Sequence, residues 1–96
     1  MQALQLFRYR DRQGELTVEM VIWKLPAADK GRPHSLKYRP YCGRPRRCLV
    51  RYDNETGKGD HRHIGDRQEP YRFESVSKLI EDFQADCTRL AGWRWK

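Results

Sequence analysis

Cysteine is scarce in this 96-residue chain, and long hydrophobic runs are missing. The three cysteines, Cys42, Cys48 and Cys87, are odd in number and form no C-x-x-C pair, so we expect reduced thiols rather than a disulfide framework. No apolar run approaches the ~18 residues of a membrane-spanning helix, and the chain does not start with a basic–apolar–small signal pattern. These absences favour a soluble, cytoplasmic protein with no membrane partner.

Acidic residues are missing from the middle of the chain. The net charge is +7 and the pI about 9.7, yet no Asp or Glu lies between residues 30 and 52. This span is either a solvated surface kept soluble by charge or a surface that binds a polyanion, nucleic acid or an acidic protein. We favour a polyanion, because Arg outnumbers Lys and its planar fork suits phosphate. The basic residues of the span are Lys30, Arg32, Lys37, Arg39, Arg44, Arg46, Arg47 and Arg51.

Repeats, low-complexity tracts and signs of a second domain are also missing. The length predicts one small domain over residues 1–96, with residues 91–96 as a short C-terminal tail. Three Trp, five Tyr and three Phe provide a core and argue against disorder.

Alternating apolar residues predict an antiparallel sheet of about five strands. The clearest alternation runs over residues 15–23, and this strand should form a hairpin with residues 4–10 across a turn at residues 11–14. Further strands are expected at residues 35–41, 47–53 and 60–64. Loops are expected at residues 25–33 and 65–70, with a brief extended piece at residues 71–73.

A helix is predicted near the C-terminus, with Ser75 as N-cap and Gly92 as its stop. Its apolar residues follow steps of three and four, and its acidic residues Glu74, Glu81, Asp82 and Asp86 should lie on the outer side. The predicted fold class is α+β, a small curved antiparallel sheet with one C-terminal helix packed on it. The Trp-rich tail could dock on the sheet or on a partner. The apolar positions are Val76, Leu79, Ile80, Phe83, Cys87 and Leu90.

Residues 52–63 gather ionisable groups around a glycine-containing turn. His61 and His63 should share one face of a strand, ~6–7 Å apart. If Ile64 faces the helix, both histidines face solvent or a groove. One imidazole could then accept a proton while the other donates one, as cleavage of RNA by its 2′-hydroxyl requires. Lys58 and Asp60 complete the predicted catalytic set, although Asp60 could simply cap the turn and the histidines could be idle surface residues.

Basic and aromatic residues near this turn are candidates for substrate binding. Arg62 and Arg51 could hold the phosphate and stabilise its developing charge. Lys37, Tyr38 and Arg39 form a basic–aromatic–basic segment that could stack a base and grip phosphates, or could be an edge strand guarded by charge. His34, alone in a loop, is expected to be a surface residue.

Metal and cofactor motifs are not recognisable. The glycines around Lys58 lack the spacing and the Lys-Ser/Thr pair of a P-loop. His61, His63, Cys42 and Cys48 could in principle gather around zinc, but the spacing of the two cysteines matches no compact zinc motif. Asp53, Glu55 and Lys58 do not fit the usual E-x-K arrangement of metal-dependent nucleases. We therefore predict no metal and no cofactor.

The sequence resembles the TumE family, small toxin components of bacterial and archaeal toxin–antitoxin modules. The resemblance spans roughly residues 4 to 90, and residues 51–55 and 57–63 are its most specific part. It implies a cognate helix-turn-helix antitoxin and growth restraint by the free toxin. Toxins of the RelE/ParE type are of similar size and often cut mRNA, but they begin with helices, whereas the helix here is at the end. Further similar segments are residues 21–23, 37–39, 69–73 and the helix around Asp82, Phe83 and Asp86.

Two functions follow as hypotheses. The first is a toxin that cleaves RNA by general acid–base chemistry. The second is a non-catalytic basic protein that binds nucleic acid or an acidic protein partner. An acidic antitoxin tail would neutralise the basic surface in either case, and the acidic helix and basic sheet could meet in a homodimer.

Overall fold

Seven strands and one helix make up the computed structural model, which describes residues 3–28, 32–54 and 59–95. Every described strand pair is antiparallel. The elements are β1 (Leu4–Gln13), β2 (Leu16–Lys24), β3 (Leu36–Tyr38), β4 (Tyr41–Arg44), β5 (Arg47–Asp53), β6 (His61–Ile64), β7 (Arg67–Pro70) and α1 (Val76–Ala91).

The strands form one sheet in the order β1-β2-β4-β5-β6-β7, and β3 pairs with the far end of β2. An antiparallel sheet with a single C-terminal helix is therefore confirmed. Several boundaries differ from the predictions. β1 runs to Gln13 rather than ending at residue 10, because residues 11–13, expected in the turn, still pair with β2. The expected strand at residues 35–41 is divided by Pro40, which has no N–H for a sheet ladder, into β3 and β4. The expected loop at residues 65–70 contains β7, whose polar composition hid it and whose pairing with β6 forms it.

Helix α1 packs on one face of the sheet, which we call the proximal face. Side chains of β2, β4 and β5 that alternate along their strands meet Leu79, Phe83 and Cys87 of the helix there. Ser75 caps the helix by accepting a hydrogen bond from the Lys78 N–H at 3.0 Å, and Gly92 ends it in the left-handed conformation, as predicted. The sheet residues of this core are Leu16, Val18, Met20, Ile22, Tyr38, Cys42, Val50 and Tyr52.

The tail after α1 docks on the protein itself. Trp93 is buried, and the Trp95 indole donates to the carbonyl of Gln84 at 3.0 Å. The side chain of Gln13 exchanges two hydrogen bonds with the backbone of Arg94. These contacts join the end of the chain to the first hairpin, so the tail is part of the fold.

The acidic residues of α1 are not all on its outer side, which corrects the prediction. Asp86 is buried, because Tyr52, Arg62 and Arg89 all donate to its carboxylate. Asp82 is half-buried and accepts from Tyr71 at 2.7 Å. Helical periodicity alone placed both residues outside, whereas polar side chains of the sheet and the connection to α1 provide partners inside.

Acid should weaken the contact between α1 and Tyr71. Burial would raise the pKa of Asp82, but hydrogen bonds from Lys78 and Tyr71 outweigh it and lower that pKa. A lowered folded pKa gives stability that is present above the unfolded value of about 4 and is lost as the pH falls through the folded value. We expect Tyr71→Phe to unfold more easily by about 1 kcal/mol at pH 7, with a smaller difference below about pH 4.

Urea unfolding across this pH range measures that difference. Tyr9→Phe is the matched control, because its hydroxyl lies 3.4 Å from Asp11 in a more exposed position. A loss of stability in Tyr71→Phe that does not change with pH would contradict the assignment.

Candidate functional site

Two paired strands bring four ionisable side chains together on the distal face, the sheet face opposite α1. The register of β5 and β6 places Asp53 opposite His61 and Arg51 opposite His63. Val50 and Tyr52 alternate with Arg51 and Asp53 and point to the core, so the four polar residues point away from it. We call Arg51, Asp53, His61 and His63 the distal cluster.

His61 is held from both ring nitrogens. Its Nδ1 lies 3.1 Å from the carbonyl of Gly59, which can only accept, so we assign the N–H to Nδ1. Its Nε2 lies 2.5 Å from Asp53 Oδ1. His61 is 5% exposed. The expected exposure of both histidines is therefore wrong for His61, because Asp53 and the Gly59 backbone enclose it.

Arg51 connects the two halves of the cluster. Its Nε lies 2.9 Å from Asp53 Oδ2, and its Nη2 lies 3.0 Å from His63 Nε2. Arginine only donates, so His63 Nε2 accepts and its lone pair points to the guanidinium. The two imidazole rings meet edge to face with centroids 4.9 Å apart, and His63 is the more accessible of the two. The cluster thus pairs a half-exposed neutral imidazole with a cation.

A metal ion is an alternative ligand for the distal cluster. Ligand atoms of Asp53, His61 and His63 lie within 4.8 Å of one another, and two histidines with one carboxylate form a known type of transition-metal site. The Arg51 guanidinium, however, contacts both Asp53 and His63 and would repel a cation. The arrangement therefore suits an anion near Arg51 better than a metal.

Asp60 is not part of the distal cluster. Its carboxylate accepts from the Tyr38 hydroxyl at 2.5 Å, from Asn54 Nδ2 at 3.3 Å and from His34 Nε2 at 3.3 Å. Burial and the bond to Asp60 raise the pKa of Tyr38. These contacts attach the turn before β6 to β3, so the geometry favours a structural role for Asp60.

His34 and Tyr38 also differ from expectation. His34 is half-buried, with its ring centroid 4.1 Å from that of Phe73 and its Nδ1 accepting from the Leu36 N–H at 3.1 Å. Tyr38 is buried in the core, so its ring is not available to stack on a base. The spacing of residues in the sequence gave no signal for the contacts around Asp60 and Phe73, because the residues that make them come from four separate segments of the chain.

The other predicted substrate-binding residues lie apart from one another. Arg62 is on the proximal face, where it binds Glu69 and Asp86. Lys37 lies on the distal face with its Nζ 5.7 Å from the Trp23 ring centroid. Arg39 is exposed. Burial raises the pKa of Tyr41, and the nearby charges of Arg39 and Arg51 offset only part of that rise. Lys58 lies outside the described residues.

The sequence from residue 4 to residue 91 matches the sequence model of the family described as Toxin TumE. The chain belongs to this toxin family. No curated protein and no solved structure matches it. Membership supports a toxin role and suggests an antitoxin as partner. The match also covers β5 and β6, so the distal cluster lies within the family region.

None of the helical segments among the described residues is long and apolar enough to cross a membrane.

Proposed function

We propose that this TumE-family chain is a toxin that cleaves RNA at the distal cluster. The observation that supports this most is the contact between Arg51 and His63, a cation and a neutral imidazole 3.0 Å apart on an accessible part of the sheet. Cleavage by the 2′-hydroxyl needs a base beside a group that stabilises charge on the phosphate. The cytoplasm is the expected compartment, and a helix-turn-helix antitoxin remains the expected partner.

The proposed reaction begins when a phosphate takes over donors of Arg51. His63 Nε2, released from the guanidinium, accepts the proton of the 2′-hydroxyl. The 2′-oxygen attacks phosphorus, the bond to the 5′-oxygen breaks, and the leaving oxygen takes a proton from water. The protonated His63 then gives its proton to the hydroxide ion left behind, which restores the neutral base. The products are a 2′,3′-cyclic phosphate and a 5′-hydroxyl end.

Asp53 and His61 are assigned positioning roles. Asp53 contacts both Arg51, at 2.9 Å, and His61, at 2.5 Å. The initial hypothesis had one histidine as base and the other as acid. The enclosure of His61 favours His63 as the base and leaves His61 to orient Asp53. Lys58 stays a candidate for phosphate binding on sequence grounds alone.

Purified protein should convert RNA to products with cyclic phosphate and 5′-hydroxyl ends, and EDTA should leave the rate unchanged. The reason is that the Arg51 guanidinium contacts both Asp53 and His63, and its positive charge would repel a metal ion bound to them. Labelled RNA, end mapping and an EDTA series measure this.

Three outcomes would count against parts of the proposal. Cleavage that disappears in EDTA and returns with a transition metal would assign Asp53, His61 and His63 to metal binding. Products with 3′-hydroxyl and 5′-phosphate ends would exclude attack by the 2′-hydroxyl. Binding of RNA without products would favour the non-catalytic binder.

A further inference from the structure

Three arginines on the edge strand β1 form a feature that the distal cluster does not use. Arg8, Arg10 and Arg12 alternate along the strand, and all three are exposed. No ion pair joins them to a carboxylate within the parts of the chain that the structure describes. We call them the arginine ladder. The sequence signal of the ladder is an arginine at every second position of β1.

The ladder lies on the same face as the distal cluster. Tyr9 packs with Trp95 on the proximal side, so its neighbours Arg8 and Arg10 point to the distal side. The register gives one continuous row across the sheet, and it connects Arg10 with His63 through Glu19, Tyr41 and Arg51. Four strand spacings separate the ends of this row, about 19 Å.

Two aromatic side chains lie on the same face as the arginine ladder and the distal cluster, and one of them lies in the row between these groups. Tyr41 is half-exposed in the middle of the row, and its ring covers Gly43, where an added Cβ would overlap the tyrosine hydroxyl. Trp23 is half-exposed on the same face beside Lys37. Aromatic faces between cations are typical of surfaces that bind single-stranded nucleic acid, because bases stack while arginines contact phosphates.

We propose that the arginine ladder is a binding site for phosphates of single-stranded RNA, separate from the point of cleavage. Successive ladder residues are about 6–7 Å apart, which is close to the spacing of phosphates in an extended strand. The ladder sits about 19 Å from His63, so only an RNA several nucleotides long reaches both. This inference rests on the proposed RNA-cleaving function and specifies how that function holds its substrate.

The alternative occupant, an acidic protein segment, fits fewer of these observations. Binding of an acidic segment would need only the arginine charges and would give no role to Tyr41 or Trp23. The RNA proposal uses the charges, the aromatic rings and the row that leads to Arg51.

The test is the triple variant Arg8→Gln/Arg10→Gln/Arg12→Gln, with Arg67→Gln/Arg72→Gln/Arg94→Gln as a control that loses the same charge from other exposed positions. The probe for binding is a fluorescent 12-nucleotide single strand with 2′-O-methyl groups, which cannot be cleaved by its own 2′-hydroxyl. We expect the ladder variant to bind at least tenfold more weakly in low salt. The slope of log K against log salt should also become shallower by about 2, since each lost phosphate contact removes about 0.7 from it. The control should change the slope by much less.

A second measurement separates binding from chemistry. On a cleavable 12-mer the ladder variant should raise KM and leave kcat unchanged, and on a dinucleotide it should match the wild type. Equal effects of both triple variants, or an equal loss on the dinucleotide, would overturn the ladder while leaving the proposed cleavage intact. Loss of binding to a polyglutamate peptide but not to RNA would also overturn it, in favour of an acidic protein.

Wild-type protein that neither binds nor cuts RNA would overturn the proposed function and the ladder together. Arg10→Gln alone, with an expected slope change of about 0.7, provides the same test should the triple variant fold poorly.

Discussion

His63→Ala should lose RNA cleavage and growth arrest while keeping the fold. A general base contributes about 10²–10⁴ in rate, so we expect kcat to fall by that factor. The side chain is half-exposed on the distal face and lies outside the core, so thermal unfolding should change little. Purified variants, timed RNA digestion and induction in cells measure the three quantities.

Chemical rescue distinguishes a base from a residue that only shapes the site. Added imidazole should restore part of the cleavage by His63→Ala, because it can occupy the vacated space and accept the proton. It should not rescue Arg51→Gln, in which the cation that contacts His63 and Asp53 is lost.

His61→Ala and His34→Gln provide the comparisons. His61 is enclosed by Asp53 and the Gly59 carbonyl, so its removal should lower both stability and activity. His34→Gln should affect stability only, because His34 binds Asp60 and stacks on Phe73 outside the distal cluster. If His63→Ala cuts RNA as fast as the wild type, His63 is not the base.

The elements with strong local signals were predictable from sequence. Ser75 and Gly92 set the ends of α1 through their own capping chemistry, and the alternation of β2 fixed which side faces the core. The pairing of His61 and His63 on one strand face follows from the same period of two. By contrast, β7 has no apolar pattern and exists because β6 offers it an edge.

The details of the site depended on contacts between distant segments. The enclosure of His61 needs Asp53 on the neighbouring strand and the Gly59 carbonyl from the preceding turn. Asp60 looked catalytic by its position beside the histidines, yet donors from β3 and two loops take its carboxylate. Tyr38 looked like a stacking platform because its neighbours are basic, but its place in the register is opposite Ile22 in the core. Such outcomes follow from tertiary packing, which residue spacing does not encode.

Replacement of Arg62 is expected to have the second large effect, which is on the stability of the fold rather than on RNA cleavage. It lies over the Tyr52 ring and donates to Glu69 through Nε at 2.7 Å, to the Tyr52 hydroxyl at 3.3 Å and to Asp86 at 3.2 Å. Burial would lower the pKa of Arg62, but its hydrogen bonds to Tyr52 and Glu69 outweigh burial and raise that pKa. The hydrogen bond from Arg62 also lowers the pKa of Glu69. The network joins β6 and β7 to the middle of α1.

Arg62→Ala should therefore destabilise the fold by about 2 kcal/mol. Removing one partner of a fully buried ion pair costs about 3–5 kcal/mol. The loss here is smaller because Arg62 is 29% exposed and because Arg89 still reaches Asp86. Urea unfolding at neutral pH measures the change, and Glu69→Gln, which leaves Asp86 paired, should cost less.

A double-mutant cycle separates this structural role from phosphate binding, the role first suggested for Arg62. With Asp86 already replaced by Ala, the further change of Arg62 to Ala should cost clearly less than it does in the wild type, because the two side chains act as a unit. In RNA binding, Arg62→Ala at a temperature where it is folded should keep the salt slope of the wild type, since the guanidinium faces α1 and not the distal cluster. Unchanged stability together with a reduced salt slope would instead assign Arg62 to the substrate. That result would require RNA to contact the proximal side of β6, where Asp86 and Glu69 now compete for the same guanidinium.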